Sequence, residues 1–234
     1  MLPPMRRFLL LLSTGLVTSM GGQAPSAAFV KLTNGRDLSG WEGDKRHWSV
    51  ENGAITGETA KAHIADSPTY LIWRGGQAGD FHLRGKYRFI GDYGNSGVQY
   101  RSRESAGFMV TGYQADFEVG NQWSGVLVEM GGRLHLARRG QKVRVGRDGK
   151  IEVSGSVGDP DQLQALIRPN EWTDFEVIAQ GNHLVHKING RTMVDVIDGQ
   201  GEKAALNGII ALQLNRSRPM KVQFRDIELR RTGR

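Results

Sequence analysis

The segment Tyr113-Gln114-Ala115-Asp116-Phe117-Glu118-Val119 alternates without a break. Tyr113, Ala115, Phe117 and Val119 fall on one side, and Gln114, Asp116 and Glu118 on the other. This is the two-residue period of a half-buried β-strand. The apolar set faces a core; the polar set faces either water or a cleft. The stretch 95–103 divides the same way, with Gln99, Arg101 and Arg103 opposite Val98 and Tyr100. Working outward, strand-like runs cover 48–56, 81–90, 98–103, 113–119, 126–130, 142–145 and 151–154, then 172–180, 183–188, 192–197, 208–214 and 221–229. Asn34-Gly35, Asn52-Gly53, Asp148-Gly149 and Asn189-Gly190 supply the positive-φ residues of tight hairpin turns. Many short strands with regular turns predict an all-β sandwich or barrel. One short helix is expected near 160–168: Asp159 caps it, Pro160 suits its first position, and Leu163, Leu166 and Ile167 share a face before Pro169.

The N-terminus reads as an export signal. Arg6 and Arg7 precede an apolar run over 8–17, and small residues follow, so cleavage is expected after Ala24 or Ala28. That run is shorter than the roughly 20 apolar residues a membrane-spanning helix needs. The expected product is a single domain over 29–232, periplasmic or secreted, with no membrane span in the mature chain. The chain has no cysteine, which excludes disulfides, thiol catalysis and thiolate metal sites. Its net charge is +7, but the basic residues are scattered among acidic ones. The densest basic stretch, 138–150, holds Gly140, Gly146 and Asp148-Gly149 and reads as a solvated hairpin. Nucleic acid is therefore not an expected partner.

The polar faces suggest a site. Gln99, Gln114, Arg101, Asp116 and Glu118 combine the amides, carboxylates and guanidinium that bond sugar hydroxyls. Trp73, Tyr93 and Trp123 are nearby aromatics on which a sugar ring can stack. Neighbouring strands would bring Arg101 against Asp116 as a bidentate pair. The same pattern also fits a solvated outer face laced with cross-strand ion pairs.

Seven motifs in order sharpen this reading: L-T-N-G-R-D-L-S-G-W (32–41), W-S-V-E-N-G-A-I-T-G-E (48–58), L-I-W-R-G-G (71–76), G-N-S-G-V-Q-Y-R-S-R (94–103), G-Y-Q-A-D-F-E (112–118), G-N-H-L-V-H-K-I-N-G (181–190) and G-I-I-A-L-Q-L (208–214). Together they resemble the 3-keto-disaccharide hydrolase domain family, across 29 to about 230. The chain departs from the family pattern at Val128-Glu129-Met130 and Gly131-Gly132-Arg133. The resemblance implies a concanavalin A-like jelly roll, two packed antiparallel sheets with a concave saccharide-binding face. It also implies cleavage of a glycosidic bond in a sugar oxidised at carbon 3, an oxidised saccharide or glycoside being the partner.

A ketone at carbon 3 acidifies the proton on carbon 2, so a base removes it and the enolate expels the group at carbon 1. Such a site needs a base, a stabiliser for the enolate oxygen and an acid for the leaving group. Asp116 or Glu118 is the candidate base, Arg101 its partner, and His186 a candidate proton carrier, with a buried structural histidine as the alternative. Gln99, Gln114 and Gln213 are candidate hydroxyl binders, with satisfaction of buried backbone groups as the alternative for Gln213; Trp123 and Tyr93 are candidate stacking residues, and His135 a weaker candidate in a hairpin. A divalent metal held by Asp116, Glu118 and a histidine is an open option, although no compact ligand motif is present. A non-catalytic lectin-like envelope protein is the alternative function, and a structural envelope protein a third.

Overall fold

The computed structural model describes residues 28–233, so the expected signal lies outside the described residues apart from Ala28. Seventeen strands form two sheets. In spatial order the smaller runs β10 (Leu134–Ala137), β9 (Leu127–Met130), β8 (Met109–Glu118), β7 (Asn95–Ser105), β16 (Ile209–Leu214), β5 (Thr69–Trp73) and β2 (Trp41–Glu42). The larger runs β12 (Ile151–Ser156), β11 (Gln141–Val145), β15 (Arg191–Asp198), β14 (His183–Ile188), β13 (Thr173–Gln180), β6 (Phe81–Ile90), β17 (Met220–Arg231), β4 (Ala54–Thr59) and β3 (Trp48–Glu51), with β1 (Val30–Lys31) added to β17. Pairing is antiparallel except between β11 and β15. The all-β reading holds.

Two expected elements change. The run 48–56 is the hairpin β3–β4, because Asn52 and Gly53 take φ of 50° and 81° and turn the chain. The helix α1 (Pro160–Gln164) is shorter than expected: Asp159 caps the amides of Asp161 and Gln162, but regular helix stops at Gln164. Leu166 and Ile167 still pack on the core from the turns that follow.

The facing sheet surfaces enclose the core. From β7 and β8 come Val98, Tyr100, Tyr113, Ala115 and Phe117; from β6 and β13 come Phe81, Leu83, Tyr87, Phe175 and Val177. Tyr87 stacks on Phe117 with ring centres 4.0 Å apart. Each such side chain contributes roughly 1.5–3 kcal/mol on burial. This packing fixes the strand register, so the polar residues between these positions point to the outer face of the smaller sheet.

Alternation fails at one place that matters. Between the pairs Tyr100–Tyr113 and Arg103–Thr111, β7 carries two residues against one on β8, a bulge with Arg101 at φ 45°. Arg101 is thereby turned away from Asp116. Its guanidinium donates to the carbonyls of Gly79 (2.8 Å) and Gly181 (2.5 Å) and pairs with Asp80 (3.0 Å). The expected Arg101–Asp116 pair does not form; Arg101 ties loops together at one end of the sandwich.

His186 is likewise outside any cleft. With Leu184 and Ile188 it faces the core from β14, and its Nε2 lies 2.8 Å from the Tyr100 hydroxyl of the opposite sheet. Burial pushes its pKa down to about 3, so the ring is neutral. It is the buried structural histidine, and it does not meet Asp116.

Candidate functional site

A pocket of about 510 Å³ opens on the outer face of the smaller sheet, between loops 92–95 and 119–123 and the β9–β10 hairpin. Strand parity builds its floor. Asn95 on β7 pairs with Glu118 on β8, and Gly97 with Asp116, in adjacent rows of the same face. Asn215 lies just beyond β16, on the parity of Gln213, with its amide 3.4 Å from Asn95 Oδ1. Tyr93 stands at one wall, its hydroxyl 3.0 Å from Ser217 Oγ. The opposite wall is Trp123 stacked on His135, with centroids 4.6 Å apart and planes 14° from parallel. Burial, then the nearby Arg138 charge, lowers the His135 pKa.

Asp116 is the buried carboxyl of this floor, only 6 % exposed. Its Oδ1 accepts 2.9 Å from Gln114 Nε2. Its Oδ2 has no side-chain partner among the described residues. Burial raises its pKa to about 8; the Gln114 hydrogen bond opposes that rise and the Glu118 charge adds to it. A carboxyl that titrates near neutrality beside an open pocket suits proton transfer.

Glu118 does something different. Its Oε1 accepts from the backbone amides of Gln122 and Trp123, and its backbone exchanges hydrogen bonds with Ser124. Arg139 holds the same loop from beneath, donating to the carbonyls of Ser124 (2.6 Å) and Asn121 (2.7 Å). The carboxylate of Glu118 thus fastens the loop that presents Trp123. The two acids share a face, as alternation required, but the backbone amides occupy one of them.

The three glutamines are not hydroxyl binders on an open surface. Gln99, Gln114 and Gln213 are buried. Gln99 Nε2 donates to Gln114 Oε1 (2.7 Å), and Gln114 Nε2 donates to Asp116 Oδ1 and to Gln213 Oε1 (3.1 Å). On the adjoining part of the face Phe108 and Met109 pack on Tyr70, Ile72, Val110 and Ala211. The burial of Gln213 matches the alternative of a buried amide, whereas the burial of Gln99 and Gln114 depends on packing that no local pattern encodes.

Of the expected site residues, the structure brings together Asp116, Glu118, Tyr93 and Trp123, with His135 beside them. Gln99, Gln114 and Gln213 lie behind this group, and Arg101 and His186 lie elsewhere. Asn95 and Asn215 were missed, although both extend the parity of residues already named. Asp92 and Met130, which also line the pocket, carry no local signal. Among the described residues no group of three or more His, Asp or Glu side chains is arranged to hold a metal ion, and none of their helices is long and apolar enough to cross a membrane.

Two packed, almost wholly antiparallel sheets with a pocket on one outer face make the fold a jelly-roll sandwich. The chain belongs to the family described as the 3-keto-alpha-glucoside-1,2-lyase-like domain, whose model matches residues 28–230. Among solved structures it is similar to a protein from Parabacteroides distasonis provisionally assigned as a glycosyl hydrolase, at 18% identity and a TM-score of 0.56, covering 88% of this chain and 94% of that one. It is also similar to the carbohydrate binding module CBM66 from Bacillus subtilis, at 14% identity, TM-score 0.54, and 82% and 95% coverage. A third likeness is to SCLam, a non-specific endo-beta-1,3(4)-glucanase from family GH16, at 10% identity, TM-score 0.53, and 89% and 92% coverage. At these identities the likeness speaks to the fold. No curated protein matches the sequence significantly.

Proposed function

We propose that this protein cleaves the glycosidic bond of 3-keto-glycosides by elimination, with Asp116 as the proton-transfer group. The observation that carries the reading is Asp116 itself, a pocket carboxyl with its pKa raised to about 8 and one oxygen held by Gln114, in a chain of this family. The Asp116 carboxylate takes the proton from carbon 2. The electron pair of that C–H bond forms the C1–C2 double bond as the C1–O bond breaks, with the carbon-3 ketone passing through its enolate. The departing oxygen takes a proton from water, and the proton held by Asp116 passes to the hydroxide left behind. Asn95, Asn215 and Tyr93 supply hydrogen-bond donors around the same pocket, and Trp123 on His135 offers a flat wall for a sugar ring. Addition of water to the unsaturated product would complete a net hydrolysis. The segment 1–28 supports export to the periplasm or beyond.

The decisive assay offers a 3-keto-disaccharide and its unoxidised parent and follows release of the aglycone sugar. Turnover of the keto substrate alone is expected, with kcat/KM rising with pH towards a plateau above about pH 8, as a base of that pKa requires. A rate that falls through the same pH would make Asp116 an acid. The likeness to a carbohydrate binding module favours a second reading, binding without catalysis. Saccharide binding with no turnover of any 3-keto substrate would establish that reading instead.

A further inference from the structure

We propose that Gln114 is a positioning residue: it pins Oδ1 of Asp116 through a polarised ladder of buried amides, leaving Oδ2 as the oxygen that exchanges the proton. The proposal rests on the assignment of proton transfer to Asp116. The ladder begins where the β7 bulge places Ser102, whose Oγ lies 2.8 Å from Gln99 Oε1 and shares its one proton between that oxygen and the Tyr100 and Tyr113 carbonyls at 2.9 and 3.3 Å. Gln99 then has its Nε2 directed at Gln114 Oε1, at 2.7 Å. With its oxygen so engaged, Gln114 presents its Nε2 to Asp116 Oδ1 at 2.9 Å and to Gln213 Oε1 at 3.1 Å. Gln213 closes the far end by donating to the Tyr70 hydroxyl at 3.3 Å. Every amide oxygen accepts and every amide nitrogen donates, and turning Gln114 over alone breaks all three of its contacts.

The backbone is shaped for this ladder. Gln114 reaches Gln213 across β7, and the residue it crosses is Gly97, which pairs with both Asp116 and Gln213. A Cβ on Gly97 would lie 2.7 Å from Gln114 Cγ and 2.6 Å from the Ala115 carbonyl oxygen. The absent side chain therefore opens the corridor. Gln99 and Gln114 are 0 % and 1 % exposed, so water does not compete for their bonds. A carboxyl with one oxygen fixed by a donor cannot rotate to offer either oxygen, and proton transfer is sensitive to such orientation. The donor also stabilises the ionised form of Asp116. The charged and titratable groups around Asp116 are Glu118 on its own strand, Tyr70 from β5 and Tyr87 from the opposite sheet, with Asp92 and His135 lining the same pocket.

The test replaces Gln114 with methionine, which keeps the length of the side chain and removes both amide functions. The Asp116 carboxyl is followed by carbon NMR through a pH titration of wild type and Gln114→Met, its signal assigned by its loss in Asp116→Asn. The titration midpoint should move to higher pH in Gln114→Met. On a 3-keto-glycoside kcat should fall roughly tenfold with little change in KM, as for a group that orients rather than binds. Should Gln114→Met not fold, Gln99→Met is read in the same way: it frees the Gln114 amide to turn over, and a smaller upward shift is expected. A folded variant whose midpoint and kcat both match wild type overturns the proposal. The titration needs no substrate, so its result stands apart from the functional reading, which fails if Asp116→Asn turns over normally.

Discussion

Asp116 and Asp198 are both buried aspartates near the C-terminal ends of sheet strands, and they have opposite fates. Asp198 is 1 % exposed and meets a cation. Both its oxygens take the guanidinium of Arg133, at 3.0 and 2.7 Å, and Oδ2 also accepts 2.5 Å from the Tyr113 hydroxyl. Burial alone would raise its pKa, but the Arg133 and Tyr113 hydrogen bonds outweigh it and hold it low. Among the described residues Asp116 meets no such cation, only the Gln114 amide, the Phe117 backbone amide and the like charge of Glu118, so burial wins and the pKa rises to about 8. Desolvation is common to both; the partner decides the sign. One carboxylate is a staple and the other is left able to titrate beside an open pocket.

The largest effect expected from breaking this contrast is on turnover. Asp116→Asn should lower kcat by about a thousandfold, within the range that general acid–base groups contribute. The same variant should leave the fold more stable at pH 8. Folded Asp116 holds its proton up to about pH 8, against a usual value of 3.8. Between those values the folded state binds more protons than the unfolded state, so stability falls as pH rises. Removing the carboxyl should flatten that slope, a gain on the order of a few kcal/mol at pH 8, measured by urea unfolding across the pH range.

Asp198→Asn should act the other way. It leaves Arg133 buried with only part of its partners and should cost about 3 kcal/mol at neutral pH in the same unfolding experiment. Because the Asp198 pKa is depressed, its contribution is present above the unfolded value of about 3.9 and lost as pH falls below it. The variant should therefore lose part of the wild-type acid sensitivity, and a variant that unfolds in acid as wild type does would contradict the staple assignment.

Smaller effects sharpen the pocket side. Trp123→Ala removes the stacked wall and should weaken saccharide binding roughly tenfold by calorimetry; unchanged affinity would move the ring-binding surface elsewhere. His186→Phe tests another buried titratable side chain. It leaves the Tyr100 hydroxyl without its partner and should cost about 1 kcal/mol of stability. The pH dependence of kcat/KM should not move, since the ring is already neutral; a shifted limb would return His186 to the chemistry.

Much of the scaffold was legible because a strand's side-chain period is two. Tyr113, Ala115 and Phe117 against Gln114, Asp116 and Glu118 came directly from alternation, and the Asn-Gly turns located their hairpins through positive φ. Arg101 was misplaced for an equally physical reason. A single extra residue in β7 reversed the parity of every position after it, and nothing in the sequence Tyr100-Arg101-Ser102-Arg103 marks that bulge. His186 sits on the core-facing parity of its strand, between Leu184 and Ile188, and only the opposite sheet supplies the Tyr100 hydroxyl that makes its burial tolerable.

By itself, then, the sequence determined which residues share a face, because local backbone geometry imposes that at every step along a strand. Which of them would be wet, roofed, paired or left alone was decided by the tertiary structure. The burial of the glutamines, the Gln114–Gln213 bond and the pairing of Asp198 with Arg133 all arise between segments far apart in the chain. A carboxyl's pKa depends on what lies within a few ångströms of it, and that neighbourhood exists only once the sheets have packed.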